Sequence, residues 1–321
     1  MTTDGTSTAP APAGRAGGRL GAVGLVLGGA LSVQFGSAFA ALLFPRTGVA
    51  GAVTLRLAIG ALLMLAVCRP RLRGYNRADW AAVIAFGLAL AGMNSIFYQA
   101  IERIPLGPAV TLEVLGPLAL SVVTARRRAA WCWAALALGG VALLGQGGFA
   151  RLNPVGAGLA LAAGALWAAY IVCSARVGRR FPRADGLALA LTVAALVTLP
   201  IGLVDSGHRL WHPTVLGLGT GLALLASVLP YTLELAALRR LPTATFAVLM
   251  SLGPAIAALA GWLVLDQQLA AVEIVAIGLV IAASVGAVRA GAPTAGPPPD
   301  RPGPDDVDLV SAAAAPQPAP R

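Results

Sequence analysis

The chain has 321 residues, of which 58% are hydrophobic and 11% charged, and its formal net charge is +10. This composition excludes a soluble globular protein, which needs a larger share of polar surface. All 23 basic residues are arginine, and without lysine neither a Walker A phosphate loop nor a pyridoxal Schiff base can form. We therefore predict a membrane protein without a cofactor.

Ten apolar segments follow one another along the chain, between two tails. Residues 1–18 and 290–321 are rich in Ala, Pro, Gly, Thr or Asp, which predicts disorder. Each segment has close to the roughly 20 residues that a helix needs to cross a bilayer, and the fifth is the shortest. The segments are Leu20–Phe44, Val49–Cys68, Trp80–Ala100, Pro105–Thr124, Trp131–Gly147, Val155–Ser174, Gly186–Val204, Thr214–Ala236, Thr243–Leu265 and Ala270–Val288.

A sequence pattern within these segments occurs twice. Ile104-Pro105 is followed after nine residues by Leu115-Gly116-Pro117, and Leu241-Pro242 is followed after nine residues by Leu252-Gly253-Pro254, at an offset of 137 residues. Internal repeats in an apolar chain are typical of secondary transporters, whose substrate site lies where the repeats meet.

The positions of the arginines predict the orientation of the segments. If the N-terminus is cytoplasmic, 18 arginines fall on the inner side and four on the outer side, while Arg56 lies inside a span. Because cytoplasmic loops carry an excess of basic residues, we predict a multi-pass membrane protein with both termini in the cytoplasm. Cys68, Cys132 and Cys173 then lie on the cytoplasmic side, where thiols stay reduced, and they share no metal-ligand spacing.

Ten spans in two repeats give five spans per repeat. Because five is odd, the second repeat must be inverted in the membrane relative to the first. We therefore predict an all-α integral membrane fold of ten helices, with one repeat at 19–148 and the other at 149–289. The loops agree with this inversion, since Glu102-Arg103 precedes Ile104-Pro105 on the outer side and Arg239-Arg240 precedes Leu241-Pro242 on the inner side.

Ionisable residues well inside a span are costly, and Arg56, Glu113 and Glu234 are therefore candidates for the functional site. Glu113 stands four residues before Pro117, whose missing N–H frees a backbone carbonyl, so a carboxylate and polar backbone would be exposed together. We expect Glu113 to bind substrate and to take up and release protons. The structural alternatives are an ion pair between Glu113 and Arg56, and a Glu234 that reaches the membrane interface from its helix end.

Six further polar or aromatic residues lie in otherwise apolar segments: Gln34, Asn94, Tyr98, Trp167, Tyr170 and Tyr231. Asn94 and Tyr98 are four residues apart and share a helix face, and Tyr231 and Glu234, three apart, do the same. Each alone fits an interhelical hydrogen bond. Together they predict a small amphiphilic pocket that binds substrate.

Several stretches in sequence order carry a resemblance to a known family. They are Gly92-Met93-Asn94 with Phe97-Tyr98, Ile104-Pro105-Leu106-Gly107 through Leu112-Glu113, Leu229-Pro230-Tyr231-Thr232-Leu233-Glu234, Thr54-Leu55-Arg56-Leu57, and the run from Leu241-Pro242-Thr243 to Leu249-Met250-Ser251. Over about residues 20–290 the chain resembles the EamA-type transporters of the drug/metabolite transporter superfamily, and among them the threonine and homoserine exporters. The resemblance implies ten helices in two inverted EamA repeats, a central cavity, and export of small metabolites across the bacterial cytoplasmic membrane. Where those exporters carry an acidic residue before the proline of the ninth span, this chain has Gly253.

We therefore expect a secondary exporter of small amino acids, threonine and homoserine first, whose partners are its substrate, the lipid bilayer and protons, with no role for nucleic acid. In our hypothesis Arg56 holds the substrate carboxylate, Glu113 faces the ammonium group, and Asn94, Tyr98 and Tyr231 contact the side chain. The alternative is an exporter of other metabolites or drugs on the same fold.

An integral-membrane enzyme is a third alternative, and it would need His, Asp or Cys clustered at one membrane face. His208 and His212 are four residues apart, but they flank Trp211 at the predicted end of a helix. We therefore predict no catalytic residues and no metal site.

Overall fold

The computed structural model describes residues 14–125, 128–148, 153–182, 184–238 and 248–291, and these residues form helices and short connections. The predicted tails lie outside the described residues, except that 14–18 and 290–291 extend the first and last helices. The helices are α1 (Gly14–Cys68), α2 (Arg77–Ile101), α3 (Leu106–Glu113), α4 (Leu115–Ala125), α5 (Arg128–Gly148), α6 (Pro154–Gly178), α7 (Asp185–Ser206), α8 (Pro213–Ala223), α9 (Leu229–Leu238), α10 (Gly253–Leu265) and α11 (Ala271–Gly291), with a 3-10 turn at Gly207–Trp211 and a π-helical turn at Leu224–Val228.

Helix α1 is folded back on itself at Gly48. A straight helix of 55 residues would be about 80 Å long, far more than the roughly 30 Å thickness of a bilayer. Gly48 has a φ of 67° and interrupts the helical geometry. Gly36 and Arg56, on opposite sides of this glycine, both contact Ala226. The first two predicted spans are thus one helical hairpin without a loop.

Two other predicted spans are irregular inside. The fourth is divided at Val114 into α3 and α4, three residues before Pro117. The eighth consists of α8, the π-helical turn and α9. Both irregular points lie close to a proline, which cannot donate a hydrogen bond within a helix.

Within the described residues, seven helices are long and apolar enough to cross a membrane, when the folded helix α1 is counted once. Two shorter apolar helices, Trp131–Leu143 and Pro213–Val228, coincide with the fifth and eighth predicted spans. The fold is therefore an all-helical, multi-pass bundle.

Small residues allow the helices to approach closely. A Cβ atom on Gly202 of α7 would overlap Thr54 of α1, and one on Gly116 would overlap the carbonyl group of Gly164 in α6. Without a hydrophobic driving force in lipid, such close backbone contacts hold helices together. The most extensive contacts join α1 with α7, α2 with α6, and α5 with α11.

Candidate functional site

A cavity of about 850 Å³ lies inside the bundle. Six of the nine residues predicted to bind substrate line it: Gln34, Arg56, Asn94, Glu113, Trp167 and Tyr170. They come from α1, α2, α3 and α6, so segments far apart in sequence meet around one space. The volume is in the range of cavities that enclose small molecules.

In the part of the chain that the structure describes, lining residues are exposed toward one end of the bundle, the open end, and none is exposed at the other, the closed end. At the closed end the Leu106 N–H donates a hydrogen bond of 2.9 Å to Oε1 of Gln267, and Ser206 donates to the Thr47 carbonyl. At the open end the lining residues Thr124, Arg176 and Arg179 are exposed. Among the described residues, the cavity therefore approaches the surface of the bundle at the end where α4 and α6 finish.

Arg56 is held by groups from two other parts of the chain. Its Nη1 donates to the Tyr98 hydroxyl at 3.0 Å, its Nη2 to the Ala226 carbonyl at 2.9 Å, and its Nε to Ser227 Oγ at 3.4 Å. The guanidinium carbon also lies 5.5 Å from the centre of the Tyr98 ring, within cation–π range. Arg56 is only 7% exposed, yet it borders the cavity, so its charge is fixed in position there.

The Ala226 carbonyl can accept from Arg56 because of Pro230. In an α-helix this carbonyl would receive the N–H of the residue four positions later, and proline has none. The π-helical turn has a similar effect one residue earlier, since the Leu229 N–H donates to Leu224 and leaves the Leu225 carbonyl to the hydroxyl of Ser32, at 2.5 Å. Two backbone acceptors thus face α1, a pattern that π-helical turns often provide at functional sites.

Glu113 is the last residue of α3 and borders the same cavity, with 9% of its surface exposed. Pro117 cannot donate to the Glu113 carbonyl, as expected from the sequence, and the backbone there is so close to α6 that a Cβ on Gly164 would overlap it. In the part of the chain that the structure describes, Glu113 forms no ion pair with Arg56 within 4.0 Å. The two side chains therefore border the cavity separately.

The aromatic and amide residues have distinct positions. Asn94 lines the cavity while its Nδ2 donates to the Leu90 carbonyl at 2.8 Å. Tyr98 is fully buried and contacts Arg56, so it positions the guanidinium group. Tyr170 lies against Phe86, with ring centres 5.0 Å apart. The side chains of Tyr231 and Glu234 lie outside the described part of the structure, although α9 includes their backbone.

Other lining residues were not predicted as site residues from the sequence. Gly253 lines the cavity, and a Cβ there would lie 3.7 Å from Gln34 Nε2, an ordinary contact distance. Serine and threonine are so frequent in apolar helices that the sequence alone does not mark them as site residues. In the sequence, the arginines of the open end indicated only the orientation of the segments. These polar residues are Ser37, Ser121, Thr124, Arg176, Arg179, Ser251 and Ser284.

Comparisons with known proteins give a consistent result. The EamA-like transporter family matches residues 154–289. The chain is 41% identical over 249 residues to the threonine/homoserine exporter RhtA of Salmonella typhimurium strain SL1344, covering 77% of this chain and 84% of the relative. The RhtA of Escherichia coli K12 is 40% identical with the same coverage, and the uncharacterized transporter YwfM of Bacillus subtilis 168 is 28% identical over 68% of this chain and 77% of the relative. A crystal structure with 21% identity has a TM-score of 0.53 over 82% of this chain and 98% of its own, which shows a common fold.

Proposed function

This chain belongs to the EamA-like transporter family, and we propose that it exports small amino acids, threonine and homoserine first, across the bacterial cytoplasmic membrane. It is a multi-pass membrane transporter and not an enzyme. The observation that carries the substrate proposal is the 40–41% identity to threonine/homoserine exporters over 84% of their length. The interior of the cavity adds a physical reason, because among the described lining residues it offers Arg56 and Glu113 to the two charged groups of a zwitterion.

In our proposal the bundle has ten spans in two inverted repeats of five. The folded α1 supplies the first two spans, and the shorter apolar helices supply the fifth and eighth. A two-fold relation between the repeats exchanges the first span with the sixth and the third with the eighth. The contact of α2, the third span, with α6, the sixth, would then have its counterpart in a contact of the eighth span with the first. This counterpart is present, since α8 and α9 of the eighth span contact α1. Helices α5 and α11, the fifth and tenth spans, would exchange places with each other, and so would α3 and α10 of the fourth and ninth spans. Both pairs are in contact. These contacts support a two-fold relation.

We further propose that the open end of the cavity faces the cytoplasm. Tyr75 stacks on Phe181 with ring centres 4.1 Å apart, and Asp79 pairs with Arg180 at 3.7 Å. The arginine-rich connection before α2 and the arginine-rich connection after α6 therefore lie at the same end of the bundle, as the positive-inside rule requires. This end is the open one, so the conformation corresponds to an exporter ready to take up its substrate by alternating access.

Thiol labelling tests this orientation. Cys132 is exposed, and Cys68 and Cys173 are partly so. A membrane-impermeant maleimide added outside intact cells should label none of the three, while the same reagent should label Cys132 in everted membrane vesicles. Labelling of any of them from outside intact cells would contradict the proposed orientation.

Within the cavity, we propose that the substrate carboxylate binds beside Arg56 and that its ammonium group faces Glu113. Asn94, Trp167 and Tyr170 then surround the side chain, and Tyr98 fixes Arg56. Loss of a buried charged partner typically costs about 3–5 kcal/mol, which lowers affinity by roughly two orders of magnitude or more. Glu113 is also our candidate for proton exchange, since a carboxyl group can change its charge between the two faces of the membrane.

Growth of an exporter-deficient bacterial host tests the function. Overproduction should raise resistance to homoserine and threonine and lower their intracellular levels, and Arg56→Gln should cancel both effects at equal abundance. Arg46→Gln is the matched control, because it removes an exposed arginine that does not line the cavity. Unchanged amino acid tolerance together with new resistance to cationic dyes would replace this proposal with a drug exporter.

A further inference from the structure

Two arginines line the open end of the cavity. Arg176 is in the last turn of α6 and Arg179 caps its C-terminus, three residues later. Both are exposed, and both line the cavity together with Thr124 and Val288. Because residues three apart lie on one helix face, α6 directs two positive charges toward the opening.

The neighbouring arginine differs from these two. Arg180 is 68% exposed and reaches Asp79 of α2, with Nε and Oδ1 3.7 Å apart. It is not part of the cavity lining. Membrane topology requires basic residues at this end of the bundle, but it does not require them inside the opening. The positions of Arg176 and Arg179 therefore need a separate explanation.

The charges along the described lining are unevenly distributed. Arg56 and Glu113 lie in the interior, whereas the opening has Arg176 and Arg179 and, among the lining residues that the structure describes, no acidic side chain. A cleft with apolar walls focuses the electric field of charges at its rim. An amino acid that approaches through this opening meets a positive potential before it reaches Glu113.

We propose that Arg176 and Arg179 attract substrate carboxylates and select against solutes with a net positive charge. This inference rests on the proposed function, since it assumes that amino acids enter from this end. It adds a second stage of specificity: the opening selects for a free carboxylate, and the interior then binds the zwitterion. The arginines act on the approach of substrate, so their loss should change KM and leave the maximal rate nearly unchanged.

Counterflow in everted membrane vesicles tests the proposal. The vesicles are loaded with unlabelled threonine, labelled threonine is added outside, and initial rates are normalised to protein abundance. The double variant Arg176→Gln, Arg179→Gln should raise KM about tenfold, within the range by which focused fields change association, and alter the maximal rate less than twofold. Arg180→Gln should have the KM and the maximal rate of the wild type. The double variant Arg176→Lys, Arg179→Lys, which keeps both positive charges, should retain most of the wild-type affinity.

Ionic strength provides an independent readout. The Debye length falls from about 30 Å at 0.01 M to about 3 Å at 1 M salt, so kcat/KM of the wild type should fall as salt is added. The Gln, Gln variant should be nearly insensitive to salt. Vesicles with the charge-reversed double variant, Arg176→Glu with Arg179→Glu, should take up labelled lysine. Vesicles with the wild-type protein should exclude it.

The outcomes separate this inference from the proposed function. If wild-type vesicles exchange no amino acid, the proposed function itself fails. If they exchange threonine but the Gln, Gln variant keeps the wild-type KM and salt dependence, the inference is overturned. An equal rise in KM for Arg180→Gln would also overturn it, because the effect would then belong to the membrane surface.

Discussion

The two Leu-Gly-Pro segments of the chain share a backbone design and differ in their surroundings. In both, helical structure is interrupted just before the glycine, at Val114 and at residues 251–252. Pro117 and Pro254 leave the carbonyl four residues earlier without its helical donor. Those earlier residues, Glu113 and Met250, both line the cavity.

The side chains and the packing then diverge. The first segment places a carboxyl group at the cavity, and its glycine lies so close to α6 that a Cβ would overlap Gly164. The second places a thioether at the same point in the motif, and its glycine leaves room beside Gln34. One kind of backbone break has thus served two purposes: it places a carboxyl group beside a tight helix crossing, and it forms an open stretch of cavity wall.

The largest difference between the two segments should appear in transport. Glu113→Gln should reduce export of threonine at least a hundredfold, because a buried charged partner contributes about 3–5 kcal/mol, while abundance in the membrane stays near normal. Met250→Leu, which conserves volume, should keep export within about threefold. The measurement is efflux from preloaded cells, normalised to membrane abundance. A fully active Glu113→Gln protein would remove the functional distinction between the segments.

A second difference should appear in folding. Gly116→Ala should destabilise the bundle by about 1–3 kcal/mol, the usual cost of overpacking, because its methyl group would meet the Gly164 backbone. Gly253→Ala should have little effect, since its nearest neighbour is the Gln34 amide at 3.7 Å. Thermal stability in detergent and abundance in the membrane report both. Equal losses for the two variants would show that the crossings are alike.

The smallest effect should come from making the second segment acidic. Gly253→Asp would place a carboxylate beside Gln34 Nε2, where a charge-assisted hydrogen bond can form. We expect threonine export to continue with a KM changed by less than about tenfold, because Gly253 borders the cavity and the Gln34 amide beside it can donate a hydrogen bond to the new carboxylate. Export assays with threonine and with lysine measure the change. A complete loss of transport would contradict this expectation and would mean that the substrate needs the space beside Gly253.

Much of the fold and part of the site could be predicted from the sequence. The apolar segments identified the helices, since length and hydropathy suffice where the solvent is lipid. Gln34, Arg56, Asn94, Glu113, Trp167 and Tyr170 meet at one cavity because polar groups inside a span are driven to the bundle interior. The family, and transport as the activity, were confirmed by the relatives.

Other features depend on geometry that no sequence pattern encodes. Tyr98 shares a helix with Asn94, but small differences in helix rotation place it behind Arg56 and not at the cavity surface. Arg179 and Arg180 are adjacent and equally basic, yet only Arg179 borders the opening. Hydropathy predicted the two spans of α1, but it gave no sign that a single glycine with positive φ joins them without a loop.

One of the acceptors that hold Arg56 is a main-chain carbonyl, and this has a consequence for genetic studies of the protein. Alanine scanning removes side chains, so a scan through Leu224–Val228 would remove the Ser227 hydroxyl but leave the Ala226 carbonyl in place, and it would miss the contribution of that carbonyl. The position that controls this carbonyl is Pro230, four residues away. Replacing that proline would supply an N–H that competes with Arg56 for the same oxygen, so the arginine can be released by a mutation that never touches it.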